Sequence, residues 1–229
     1  MNLVVIIPAF NEQKTISNVI KLIPKKISKI NKIKIVVIDD GSTDNTYFVA
    51  SKYKNVTVLK HLINRGLGGA LQTGFEFAKK FNFDLLVTLD SDGQHDPREI
   101  PRLIRPILKG KADVVIGSRL KSDEMRQMPL DRLIINFIGN LVTFVMFLFW
   151  TTDSQSGFRV FSKKAVAKIS IRSQKMEVSS EFFKEFKSNN LKIVELPIKP
   201  IYTRYSRLKG QTNINSLQII TRLILNIAR

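Results

Sequence analysis

Two carboxylates one residue apart close an apolar run in this chain, Leu85-Leu86-Val87-Thr88-Leu89-Asp90-Ser91-Asp92-Gly93-Gln94. The run is short, apolar and followed by turn residues, which is the pattern of a buried strand. Asp90 and Asp92 therefore fall just past its carboxyl end, where open α/β sheets bind ligands. If the chain turns at Ser91-Asp92-Gly93, both carboxylates reach one hard cation. Mg²⁺ or Mn²⁺ takes carboxylate, carbonyl and water oxygens, commonly beside substrate phosphates, and Gln94 adds an oxygen on the same turn. An Asp-Ser-Asp-Gly sequence is also a common solvated turn, so the pair acquires meaning only from what surrounds it.

The neighbouring elements end the same way. A strand over residues 3–7, stopped by Pro8, leads into Phe10 and Glu12. Phe10 suits the face of a flat base, and Glu12 suits acceptance from a base or ribose. A second strand, residues 34–38, runs into Asp39-Asp40-Gly41-Ser42-Thr43-Asp44. Capping of the next helix accounts for Ser42, Thr43 or Asp44. It does not account for two adjacent carboxylates, which need a donor group such as a base N–H or a ribose hydroxyl. After a third strand at 56–59, Asn64-Arg65-Gly66-Leu67-Gly68-Gly69 opens a helix running to about Phe81. The glycines suggest close backbone approach to a phosphate at the helix N-terminus, although the spacing is neither G-x-G-x-x-G nor a P-loop. A helix is predicted from Pro97 to about Leu108, and a fifth strand over 112–116 ends in Gly117-Ser118-Arg119. Strands alternating with helices, each strand ending in polar residues, predict a mostly parallel, three-layer α/β sheet with one site along its carboxyl edge.

The rhythm changes after Arg119. Residues 121–131 are charged and expected to be mobile. The stretch from Leu133 to Trp150 is strongly apolar but slightly short of the ~20 residues that span a bilayer. Its polar residues Asn136, Asn140 and Thr143 are spaced four and three apart, on one helical face. An amphipathic helix in the membrane interface fits that spacing, with Trp150 at its end suited to the boundary; a buried core helix fits it nearly as well. Asp153-Ser154-Gln155-Ser156-Gly157-Phe158-Arg159 follows, then helices near 163–168 and up to about Lys187, a strand at 192–196, a basic run (Tyr202, Arg204, Arg207, Lys209), and an amphipathic helix over 215–227.

Composition bounds the partners. The chain has 229 residues and a formal net charge of +18. Nucleic acid, an anionic membrane surface and phosphorylated substrates all fit such a charge. With no cysteine and only His61 and His95, thiolate and histidine-based metal sites are excluded, and a Ser-His-Asp triad has little support. The N-terminus lacks the basic region and cleavage site of a signal peptide, so a cytosolic location is expected.

Taken together, these stretches resemble the family-2 glycosyltransferases of the GT-A fold, and within them the polyprenyl-phosphate (dolichyl-phosphate) hexose transferases. The resemblance is carried by Ile7-Pro8-Ala9-Phe10-Asn11-Glu12, Val37-Ile38-Asp39-Asp40-Gly41-Ser42-Thr43-Asp44, Asn64-Arg65-Gly66, Asp90-Ser91-Asp92-Gly93-Gln94, Gly117-Ser118-Arg119 and the Asp153–Arg159 stretch. It implies a Rossmann-like nucleotide-sugar-binding half over 1–119 and an acceptor-binding, membrane-facing half over 120–229, within one continuous catalytic domain. Pro8, Phe10, Glu12, Ile38 and Asp40 would frame the base and ribose. Asp90, Ser91, Asp92 and Gln94 would lie along the metal and donor diphosphate, with Asp90, Asp92 and Gln94 as ligands of Mg²⁺ or Mn²⁺. Arg119 would bind phosphate, Arg132 the acceptor phosphate, and Arg204 and Lys209 the donor from the C-terminal segment. Here Lys209-Gly210-Gln211-Thr212-Asn213 stands where relatives often carry G-x-S-K.

The implied reaction is inverting transfer of a hexose from GDP-mannose, UDP-glucose or UDP-GlcNAc to a polyprenyl phosphate. The enzyme would sit peripherally on the cytoplasmic face of the cell membrane (or of the endoplasmic reticulum), through residues 133–150 and the C-terminal helix. A lipid phosphate is already a nucleophile at neutral pH, so arginines matter more than a base. The alternative is transfer to a glycan or protein hydroxyl, for which Asp153 is the first candidate base. A nucleic-acid-binding module is disfavoured, because the charges are dispersed and the strand-end carboxylates would repel phosphates.

Overall fold

The computed structural model describes residues 1–202, so Arg204, Arg207, Lys209 and the predicted helix at 215–227 lie outside the described residues. Seven strands form one sheet: β1 (Asn2–Ala9), β2 (Lys32–Asp39), β3 (Val56–Lys60), β4 (Leu85–Thr88), β5 (Val114–Ser118), β6 (Arg159–Ser162) and β7 (Ile193–Pro197). Their order is β3-β2-β1-β4-β6-β5-β7. All pairings are parallel except those of β6, which runs antiparallel to both β4 and β5. Pro8 does not stop β1; it pairs with Ile38 of β2, beyond the point where β4 pairing ends at Thr88 opposite Ile6.

Helices cover both faces, which is why the central strands read as unbroken apolar runs. Alternate residues of each strand point to opposite sides. Leu3, Val5, Ile7, Val37 and Val87 pack with Ile16 and Val19 of α1 (Ile16–Leu22) and with Ile100 and Leu103 of α4 (Ile100–Leu103). Val4, Ile6, Val36, Ile38 and Phe161 pack with Leu71 and Phe75 of α3 (Gly66–Lys80) and with Phe182 and Phe186 of α8 (Val178–Ser188). The remaining helices are α2 (Thr46–Ser51), α5 (Arg105–Leu108), α6 (Leu130–Phe147) and α7 (Lys163–Lys168).

Three local expectations change. The helix predicted from Pro97 to Leu108 is broken into a 3₁₀ turn, Pro97–Glu99, and the one-turn helices α4 and α5. Pro101 and Pro106 each lack the N–H that a continuous helix would need. The charged stretch after Arg119 folds in part as a 3₁₀ turn, Asp123–Gln127, capped by the Ser122 side chain. The glycines opening α3 serve chain packing: a Cβ on Gly68 would collide with the Ser173 carbonyl, and the Gly69 N–H donates to the Gln174 carbonyl at 3.0 Å. A piece of the second half thus occupies the helix N-terminus that the sequence suggested for a phosphate.

The helix α6 starts three residues earlier than expected and ends at Phe147, capped by Leu148, which adopts a left-handed conformation with φ 48°. Its polar face points inward: Asn136, Asn140 and Thr143 are buried. The Asn140 amide donates to the Thr152 carbonyl at 2.7 Å, and its oxygen accepts from the Ser154 N–H at 2.8 Å. The opposite face carries Leu130, Ile134, Phe137, Leu141 and Val145, all exposed. The buried-core alternative therefore fails for this face.

Candidate active site

A cavity of about 610 Å³ opens at the carboxyl ends of β1, β2 and β4 and the amino end of the reversed strand β6. Because β6 runs backwards, the loop before it reaches the same edge as the loops after β4 and β5. One wall carries Pro8, Phe10, Glu12, Asp40 and Asn64; the floor carries Asp90, Ser91, Asp92 and Gln94; the far wall carries Arg119, Arg132 and Asn136. Of the expected site residues among those described, Asp153 and Ile38 are absent from this lining. Asp153 is fully buried, and the Ile38 side chain lies in the apolar core beneath, because it points to the α3 side of the sheet.

Asp40 borders the cavity, but its carboxylate is heavily engaged. It accepts from the Arg65 and Gly66 N–H groups at 3.0 and 2.7 Å and lies 2.7 Å from Nδ1 of His61. His61 in turn meets the Thr73 hydroxyl at 2.9 Å. The second carboxylate of the pair thus anchors the loop that opens α3. Glu12 is held on the same wall, its N–H donating to the Thr46 hydroxyl at 2.7 Å and its carboxylate accepting from the Thr15 hydroxyl at 2.6 Å.

The turn after β4 places Asp90 and Asp92 in one cavity. Gln94 braces Asp92: its N–H donates at 2.9 Å and its side-chain amide at 2.6 Å. Burial, then the neighbouring Asp90 charge, push the Asp92 carboxyl above its usual range, with Glu12 adding to the effect. Asp90 goes the other way. Burial would raise it, but His95, 3.2 Å from its carboxylate, together with Arg119 and Arg159, holds it below the usual range. The Asp90 carboxylate also rests on Gly157, where any Cβ would collide with both its oxygens.

Arg119 is locked from behind. Its Nε and Nη2 donate to the two oxygens of Asp153 at 2.8 Å each, and its backbone N–H donates to the same carboxylate at 2.9 Å. Asp153 is fully buried. Burial acts to raise its pKa, but the Arg119 charge outweighs it and keeps the carboxyl below the usual range. A carboxylate spent in this way is a poor proton acceptor, so the geometry speaks against Asp153 as a base and for it as the anchor of Arg119.

Several cavity residues carried no assigned role in the sequence reading: His95, Gln155, Gly157, Arg159, Lys175 and Ser179. The Ser-Gly-Phe-Arg stretch was visible as a motif, but nothing in it announced that Arg159 would begin a reversed strand beneath the paired aspartates. The described chain ends at the same rim, where the Ile201 N–H donates to the Gln94 carbonyl at 3.0 Å and Tyr202 lines the cavity.

Comparison with known proteins agrees with this geometry. An uncharacterized protein of Methanocaldococcus jannaschii is 43% identical over 96% of this chain and 90% of its own. The UDP-N-acetylglucosamine–dolichyl-phosphate N-acetylglucosaminyltransferase of Methanococcus voltae is 38% identical over 96% of this chain and 94% of its own. The dolichol-phosphate mannosyltransferase of Pyrococcus furiosus is 32% identical over 98% of this chain and 64% of its own. Among solved structures, glucosyl-3-phosphoglycerate synthase of Mycobacterium tuberculosis, in complex with Mn²⁺ and UDP-glucose, superposes with a TM-score of 0.69 at 19% identity, covering 97% of this chain and 76% of that one. The expected GT-A architecture holds. The model of the family described as glycosyl transferase family 2 matches residues 4–170, and with that match the chain belongs to this family and is a glycosyltransferase.

Proposed function

We propose that the chain transfers a hexose from a nucleotide sugar to a polyprenyl phosphate at the cytoplasmic membrane surface, inverting the anomeric centre. UDP-GlcNAc, UDP-glucose and GDP-mannose are the candidate donors. The observation that supports this best is the amphipathicity of α6, polar toward the protein interior and apolar toward the outside. Such a helix lies naturally at a lipid–water boundary. Its first turn brings Arg132 to the cavity, facing the same space as Arg119, so a phosphate on a membrane-bound prenyl chain would meet two guanidinium groups. The names of the Methanococcus voltae and Pyrococcus furiosus relatives point the same way. No helix among the described residues is long and apolar enough to cross a membrane, which suits peripheral attachment.

The acceptor phosphate is an anion at neutral pH and needs no base, in keeping with the engagement of Asp153. Arg119 and Arg132 would orient it and offset its repulsion from the donor diphosphate. One phosphate oxygen then bonds to the anomeric carbon as the bond to the diphosphate breaks, and the nucleoside diphosphate leaves with the electron pair. A divalent cation would sit on the floor of the cavity, beside Asp90 and Asp92. Burial first and the Asp90 charge second raise the Asp92 carboxyl, and a cation there would offset the repulsion between the two carboxylates. Asp90, Asp92 and Gln94 would hold Mg²⁺ or Mn²⁺, which as a Lewis acid would neutralise the leaving diphosphate.

The test is transfer of radiolabelled sugar from each donor into vesicles containing polyprenyl phosphate. Label that moves to the organic phase and is released by mild acid supports the proposal. Transfer only to water-soluble glycan or peptide hydroxyls, with donor binding intact, would refute it.

A further inference from the structure

We infer that Arg159 and Gln155 form the subsite that grips the donor's hexose ring, a reading that rests on the glycosyl transfer proposed above. Arg159 opens β6, paired with Thr88 of β4 and Ile116 of β5, at the catalytic edge of the sheet. It is only 3% exposed, yet it lines the cavity. Its guanidinium lies over the rings of Phe182 and Phe183, at 4.7 and 5.8 Å from their centroids. Its Nη2 donates to the Ser154 carbonyl at 2.7 Å and meets the Ser179 carbonyl at 3.5 Å. Its Nε is buried and has no acceptor among the described residues.

A guanidinium has five N–H donors, and buried donors in native proteins are paired. Here the described chain supplies two carbonyls, so oxygens are expected from whatever fills the cavity. The surroundings select which oxygens. Asp90, Asp92 and Glu12 border the same space; apart from the diphosphate that a bridging cation would hold, these carboxylates disfavour direct contact with a phosphate, whereas Arg119, Arg132 and Lys175 offer cations elsewhere on the lining. A sugar hydroxyl is both donor and acceptor. It can give its hydrogen to a carboxylate and take an N–H from Arg159, so a neutral polyol satisfies both signs of charge. Gln155, half-buried on the same lining, carries an amide that donates and accepts in the same way.

The experiment is calorimetric titration of the full chain in Mn²⁺ with UDP, UDP-GlcNAc, GDP and GDP-mannose. Wild type is compared with Arg159→Lys, Arg159→Met and Gln155→Ala. The expected result is nucleoside diphosphate affinity within about twofold of wild type and nucleotide-sugar affinity reduced tenfold or more, the size of losing a hydrogen bond to a charged group. Equal weakening of both ligands, or no change in either, overturns the subsite. If the Arg159 variants fail to fold, as judged by their melting curves, Gln155→Ala decides by the same comparison. A wild-type protein that binds nucleoside diphosphate but no nucleotide sugar more tightly also overturns it, while transfer into polyprenyl phosphate would leave the proposed function standing. A wild type that binds no nucleotide sugar at all overturns the proposed function and this subsite together.

Discussion

Gly157→Ala isolates one contact. The residue precedes β6 and is not in the left-handed region that would demand glycine. Its constraint is Asp90, whose two carboxylate oxygens lie where a Cβ would project. Restoring van der Waals distance requires the carboxylate to retreat by about 1 Å. That movement would draw Asp90 away from the 3.2 Å contact with His95 and out of register with Asp92. Overpacking of this kind costs about 1–3 kcal/mol of stability, a fall in Tm of roughly 2–4 °C per kcal/mol for a chain of this size. Misplacing a reacting group by about 1 Å costs on the order of 10²-fold in rate, so transfer should fall far more than stability does. The assay is steady-state sugar transfer with parallel melting curves, repeated in an Asp90→Ala background. There the obstructed carboxylate is gone, and adding the methyl should change little. Activity of Gly157→Ala within about threefold of wild type, or effects of the two substitutions that simply multiply, would refute the steric argument.

Other perturbations separate the remaining parts of the site. Asp92→Ala should abolish the Mn²⁺-dependent thermal shift by nucleotide sugar, which reaches about 2.7 kcal/mol at a hundredfold excess over Kd, while leaving the ligand-free Tm unchanged or higher because a repulsion is removed. Asp153→Asn should cost about 3 kcal/mol near neutral pH, since a buried Arg119 loses its counter-ion. Because the folded-state pKa of Asp153 is lowered, its contribution is present above the unfolded value and is lost as pH falls through the folded one; the acid limb of a urea-unfolding series should therefore be shallower in the variant. On α6, Phe137→Glu and Val145→Glu should leave Tm within about 1 °C, as these side chains are 62% and 64% exposed. Each should weaken sedimentation with anionic vesicles about tenfold or more, because a buried apolar side chain contributes roughly 1.5–3 kcal/mol.

The strand ends were legible because an apolar run that stops at a carboxylate has few other readings, and the runs of β2 and β4 stop that way. The face of α6 was legible as a spacing of polar residues, but not its direction, since periodicity says that two sides differ and not which one meets the protein. Asn140 turns inward because the loop at 152–154 offers backbone groups that need partners. The reversed strand β6 was missed because Arg-Val-Phe-Ser is too short for alternation to register, and its polarity is set by neighbours distant in sequence. The glycines before α3 were legible as a close approach but assigned to the wrong visitor. Nothing local indicates that the Ser173 and Gln174 carbonyls, more than a hundred positions away, arrive there.

The antiparallel ladder has a mechanical consequence. Backbone hydrogen bonds from β4 to β6 and from β6 to β5 tie the stretch after Arg119 into the sheet built by the stretch before it, so the two share one stiff plate with no crease to fold along. Hinged closure between these two stretches is therefore not open to the described residues, and the distance between the loops that follow β4 and β5 and the loop that precedes β6 is fixed by the sheet itself.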